Sequence, residues 1–164
     1  MTSDGGFLYV GLDNDVDATG LGCEVWRFDG ANWAQLAGQS APGTPGTGPG
    51  FGDQNNACAH SVGVFASQLY CGTYNPNGCQ VWKFDGSDWL QVVGQSPIGT
   101  PGTGPGFGDA NNVTAWVQCL FKGKLYIGTE RGYYIASASG VSQLGANCGH
   151  PGISSSVKAA ATPG

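Results

Sequence analysis

The feature that most constrains this chain is an internal repeat. Offset by 56 residues, positions 23–56 align with 79–112, and 24 of the 34 pairs are identical. The aligned segments read CEVWRFDGANWAQLAGQSAPGTPGTGPGFGDQNN and CQVWKFDGSDWLQVVGQSPIGTPGTGPGFGDANN. The stretch GTPGTGPGFGD is shared letter for letter at 43–53 and 99–109. Self-similarity at such a period predicts an array of like units, each burying its apolar face against a neighbour.

A second marker extends the array to three units: FLYVG at 7–11, QLYCG at 68–72 and KLYIG at 124–128. Each is a β-branched and aromatic run closed by glycine, the pattern of a strand ending in a turn. Composition agrees, because 30 Gly and 9 Pro against 17 Asp, Glu, Lys and Arg favour turns over long helices, while 18 aromatics argue for a packed core. The chain is therefore predicted to be all-β, one domain over 1–164, with four antiparallel strands per unit. Strands of the second unit are expected near 61–66, 68–73, 79–84 and 88–93. Those of the third are expected near 115–121 and 124–129, then in YYIASA and VSQL. The units span about 7–38, 57–95 and 113–145. The first is expected to lack its first strand, and the tail 146–164, with ISSSVKAAA at 153–161, to offer a strand for exchange.

These units resemble the blades of β-propellers, in particular extracellular bacterial repeats of the LYVGT…EVWRxDGxxW…GFGDxNN type, and are similar to kelch blades. The resemblance covers about residues 7–145. The turns FDGANW and FDGSDW are also similar to the Asp-box of sialidase-like propellers, although one residue of the D-x-G spacing is absent at Asp29 and Asp85. No sialidase catalytic set maps onto the chain. Propellers close with about 4–8 blades, so three blades imply a structure that is not closed as a single chain. The tract GTPGTGPGFGD then becomes an inter-blade strap, anchored by Phe51 and Phe107, with Asp53 and Asp109 accepting hydrogen bonds in the turn that follows.

A net charge of −5 with only six Lys and Arg leaves no basic patch, which argues against nucleic acid and against an anionic membrane surface as partners. No apolar run approaches the roughly 20 residues of a membrane span, so membrane insertion is not expected. MTSDGGFLYV lacks the pattern of a secretion signal. Six cysteines in a lysine-poor β-chain nevertheless fit an oxidising, extracellular or cell-surface setting, which would make the sequence a mature or partial form.

Candidate site residues are few. In LDNDVDATGLGCE, Asp13, Asp15 and Asp17 alternate and Glu24 follows Asp13 by eleven residues, the ligand spacing of a calcium loop. Ca2+ is the one cofactor this pattern suggests. Ala18 at the position that favours glycine, and Glu24 on an expected strand, favour a solvated acidic hairpin tip instead. The cysteines read as structural, with Cys71–Cys79, Cys23–Cys58 and Cys119–Cys148 as one consistent set of bridges. Asn112 lies in a glycosylation sequon, NVT, and Thr44, Thr47, Thr100 and Thr103 are compositional candidates for O-glycans. Trp26, Trp33, Trp82 and Trp89 recur in register and read as filling between sheets. Trp116 stands where the second unit has His60 and is the better ligand contact.

No nucleophile elbow, phosphate loop or metalloprotease motif is present, and the carboxylates mostly recur in pairs, Asp29 with Asp85 and Asp53 with Asp109. The expectation is a non-catalytic extracellular structural protein that self-assembles into an oligomer or fibre, through sheet edges or tail-strand exchange. Two alternatives are a carbohydrate-binding propeller module and a fragment of a larger propeller glycoside hydrolase.

Overall fold

Alternating aliphatic and aromatic residues cut by glycine turns give strands too short to bury themselves, so the sheets must pack on one another. The computed structural model describes residues 1–14, 21–129, 132–137 and 140–146, the last two stretches by their backbone. It is all-β and antiparallel, with three four-stranded sheets that do not close on themselves. The first sheet runs in chain order through β1 (Thr2–Asp4), β2 (Phe7–Leu12), β3 (Glu24–Phe28) and β4 (Trp33–Ala37). The second contains β5 (Cys58–Phe65), β6 (Gln68–Tyr74), β7 (Val81–Phe84) and β8 (Trp89–Val93). The third contains β9 (Ala115–Phe121), β10 (Lys124–Thr129), β11 (Gly132–Ser137) and β12 (Gly140–Ala146). No helix among the described residues is long and apolar enough to cross a membrane.

The first sheet corrects one expectation. Its first strand is present: Thr2, Ser3 and Asp4 pair with Tyr9, Leu8 and Phe7. The hairpin turns at Gly5 and Gly6, whose φ values of 56° and 85° suit a residue without a Cβ. Strand β1 is short beside β5, which has eight residues. Of the tail 146–164 that was expected to supply an exchanged strand, Ala146 ends β12 and 147–164 lie outside the described residues.

The sheets share irregularities as well as order. The pairing of third and fourth strands shifts register between Val25 and Trp26, between Val81 and Trp82, and between Tyr133 and Tyr134. A bulge at one place in every sheet is a built feature of the unit.

Sheets pack in sequence, first on second and second on third. We call the face of a sheet that looks back along this row its leading face, and the other its trailing face. In the first seam the trailing Val25, Leu36 and Ala37 meet the leading Leu69, Cys71, Trp82 and Trp89. In the second, the trailing Tyr70, Val81 and Val93 meet Ala115, Leu125 and Ile127. Gly72 lets the seam close, because a Cβ there would lie 2.7 Å from Ala115 Cβ and 2.5 Å from Ser61 Oγ. Its repeat mate Gly11 would press on the Ala59 carbonyl in the same way. Gly72→Ala is expected to lower unfolding free energy by about 1–3 kcal/mol, the cost of overpacking, as read from the urea midpoint at unchanged m-value.

Candidate functional site

The most elaborate constellation in the molecule is where the strap crosses the seam. After β4 the chain makes a tight turn at Pro49–Gly52, and after β8 an equivalent one at Pro105–Gly108. Both hold two successive residues in the left-handed region: Gly50 (φ 60°, ψ 28°) with Phe51 (φ 60°, ψ 25°), and Gly106 (φ 59°, ψ 28°) with Phe107 (φ 62°, ψ 26°). For phenylalanine this conformation costs about 1–2 kcal/mol. Packing offsets it: the Phe51 ring, 1% exposed, stacks on Trp82 at 5.1 Å and meets the edge of Trp89 at 4.8 Å. Trp89 Nε1 donates to the Leu36 carbonyl across the same seam at 3.1 Å.

Backbone bonds repeat around both straps. Gly50 N donates to Cys23 O at 2.8 Å and Cys23 N to Asn56 O at 2.7 Å; Gly106 N donates to Cys79 O at 2.9 Å and Cys79 N to Asn112 O at 2.8 Å. Asp53 Oδ1 accepts from Asn55 N at 3.0 Å, and Asp109 Oδ1 from Asn111 N at 3.0 Å. Eleven identical residues thus adopt one conformation twice.

A buried amide network fastens the first strap. Asn56 Nδ2 donates to Gly50 O and to Gln80 Oε1, both at 2.8 Å. Asn56 Oδ1 accepts from Thr73 Oγ1 at 3.0 Å and from Asn75 Nδ2 at 2.9 Å. Gln80 Oε1 also accepts from Trp82 Nε1 at 3.0 Å, while Gln80 Nε2 and Asn75 Nδ2 both donate to Asp53 Oδ2. These bonds satisfy the side-chain amide of a fully buried Asn56, as burial of polar groups requires. The sequence reading missed this network; the NN that ends each strap was its only visible trace.

The cysteines fall differently from the expected bridges. Cys71 belongs to the first seam and Cys79 to the second, so they sit on opposite faces of one sheet. Pairing them is corrected: adjacency in a hairpin does not help when side chains point to opposite faces. Cys23 instead lies near both Cys71 and Cys58, and Cys23, Cys71, Cys79 and Cys119 carry thiols. In the second seam the repeat mates of Cys58 and Cys71 are Thr114 and Ile127, so Cys79 has no matching trio around it. Cys119 is exposed and Cys148 lies outside the described residues.

Burial raises these thiols: Cys71 to about 12, with Cys79 also pushed up. Cys23 is raised well above its ordinary value by burial first, then by Cys71 and Cys58.

Other expected site residues are placed as follows. Glu24 Oε2 accepts from Trp26 Nε1 at 2.7 Å, the role that Gln80 plays toward Trp82. Its carboxylate is thus engaged on β3; Asp13 bridges to Cys58 through the backbone, and Asp15 and Asp17 lie outside the described residues. Among the described residues, no group of three His, Cys, Asp or Glu is placed to hold a metal ion. Asn112 is 2% exposed and its Nδ2 donates to Gly106 O at 2.9 Å. The glycosylation expectation is corrected, because a glycan on that amide would break this bond and displace the strap. Thr47 Oγ1 lies 3.1 Å from Ser40 Oγ, and Thr103 Oγ1 donates to Ser96 Oγ at 3.2 Å. The backbone carbonyls of Thr44 and Thr100 accept from Gly48 N and Gly104 N, and all four threonines are half-buried. Trp116 is half-exposed, its ring 4.5 Å from that of His60. Asp29 and Asp85 each accept two backbone N–H groups, which hold both carboxyls below their usual range.

Two outcomes follow from this chemistry. Phe51→Ala is expected to cost about 3–5 kcal/mol of stability and to change the near-ultraviolet dichroism of Trp82 and Trp89, read by urea unfolding and by circular dichroism. For the reduced protein, thiols ionise near ~8.5 in the unfolded chain but stay protonated when folded. Stability is therefore unaffected below that value and falls as pH rises beyond it, by about 1.4 kcal/mol per pH unit for each of the three raised thiols, Cys23, Cys71 and Cys79. Unfolding midpoints from pH 8 to 11 should show this slope, reduced by about a third in Cys79→Ala. Compared with protein-family models, with curated proteins and with solved structures, the chain matches none.

Proposed function

We propose that this chain is a non-catalytic, extracellular structural protein, built of propeller-type blades, that self-associates. The supporting observation is that its two outermost faces keep the aromatic furniture of its buried seams. On the leading face of the first sheet, Phe28 and Trp33 stack at 4.9 Å with an interplanar angle of 30°; in the buried seam their repeat mates Phe84 and Trp89 stand at 5.1 Å and 37°. Trp33 is 52% exposed where Trp89 is 8% exposed. On the trailing face of the third sheet, Phe121 and Tyr126 have ring centroids 6.1 Å apart, the spacing of Phe65 and Tyr70 inside the second seam.

Exposed apolar faces of this kind mark interaction surfaces. The non-catalytic reading is supported by where the recurring carboxylates direct their oxygens: Asp29, Asp85, Asp53 and Asp109 all accept from turn amides. The extracellular reading rests on six cysteines in a lysine-poor acidic β-chain.

Sedimentation velocity over a wide concentration range tests the proposal. The weight-average mass is expected to rise with concentration above that of the 16.7 kDa chain. A particle that stays monomeric throughout would remove the self-association reading.

A further inference from the structure

The two faces on which no other sheet packs among the described residues are complementary halves of one interface that the chain already builds twice. The trailing face of each sheet receives the leading face of the next. In the first seam this brings Val25 and Leu36 against Leu69 and Trp89, and in the second Tyr70 and Val93 against Leu125 and Ile127. The trailing face of the third sheet carries Val117, Cys119, Phe121 and Tyr126 at the places of Ser61, Gly63, Phe65 and Tyr70. The leading face of the first carries Leu8, Trp26, Phe28 and Trp33 at the places of Leu69, Trp82, Phe84 and Trp89. Val117 and Phe121 are both more than half exposed, as is Trp33.

We infer that a second copy of this chain seats the leading face of its first sheet on the trailing face of the third, so that molecules join head to tail by the step that relates their own sheets. This inference rests on the self-association reading and names its geometry. The Trp33 indole of the incoming copy then meets β12 as Trp89 meets Leu36 on β4. The contact is heterologous, since unlike faces meet, and it produces rings or filaments according to whether the rotation closes.

The intermolecular seam also differs from the internal ones in one respect. The third unit continues as GANCGHPG where the others have GTPGTGPGFGD, so the place filled by Phe51 between Trp82 and Trp89 receives no strap phenylalanine in the new seam. The joint is accordingly weaker than a seam within the chain, and assembly is reversible on dilution.

Complementation of two blocked faces tests the geometry. Trp33→Asp blocks the leading face and Phe121→Asp the trailing face; both sites are exposed, and far-ultraviolet dichroism and melting check that each variant folds. Each alone is expected to be monomeric in sedimentation at concentrations where the wild type assembles, with a dissociation constant weakened at least tenfold. Mixed, they are expected to form a 1:1 dimer and nothing larger, because each supplies the face that the other lacks. Maleimide labelling mapped to the Cys119 peptide should slow in that dimer. Failure of the mixture to dimerise, or dimerisation of either variant alone, would overturn the head-to-tail geometry. Assembly that survives both substitutions but is lost when residues 147–164 are removed would overturn it too, while leaving self-association standing. A wild type that never assembles removes both.

Discussion

The structure depends on a phenylalanine held in an unfavourable backbone conformation. Phe51 occupies the left-handed region, which an ordinary residue avoids by about 1–2 kcal/mol, because its ring has nowhere better to go than between Trp82 and Trp89. Burying an aromatic side chain is worth about 1.5–3 kcal/mol by transfer alone, more with a well-oriented partner, so packing exceeds the strain. The glycines and prolines around it set the approach path of the chain. What looks like a loose loop in the sequence is a wedge, and its second copy at Phe107 repeats the same torsion angles.

The wedge would be useless if the strap could slide, and the amide network prevents that. Asn56 holds the Gly50 carbonyl while also bonding Gln80, Thr73 and Asn75 of the second sheet. Strap, seam and sheet are therefore one hydrogen-bonded unit. The polar groups and the rings act on different freedoms: the rings resist separation of the sheets, and the directional bonds fix their register.

Much of this was legible in the sequence, for physical reasons that can be named. Period-2 alternation in VWRF and VWKF, closed by Asp-Gly, marks β3 and β7, and the LYxG runs mark β2, β6 and β10. The recurrence of Trp89 and Trp82 pointed correctly to burial between sheets, but the same pattern at Trp33 did not, because burial belongs to the seam and among the described residues no sheet packs on that face of the first sheet. Strand β1 was missed: three residues beyond a Gly-Gly turn carry almost no periodic signal. The Cys71–Cys79 pairing failed because Cys71 stands opposite Trp82, and Cys79, three residues before Trp82, falls on the other face of the sheet. Asn112 matched a sequon by its letters while its environment is that of a core amide. The approach of Cys23 to Cys58 and Cys71 across the first seam, and the bond of Asn56 to Gln80, join residues far apart in the chain, and no local pattern encodes them.

Among the described residues the main contacts between sheets join neighbours in sequence, so cohesion there is distributed along one dimension. In that part of the chain the middle sheet packs on two sides and each outer sheet on one. Opening therefore starts at the outer sheets, and losing one seam leaves the other standing. Such a chain behaves less like a globule with a single melting core than like a short stack of coupled plates, whose cooperativity resides in the joints between plates.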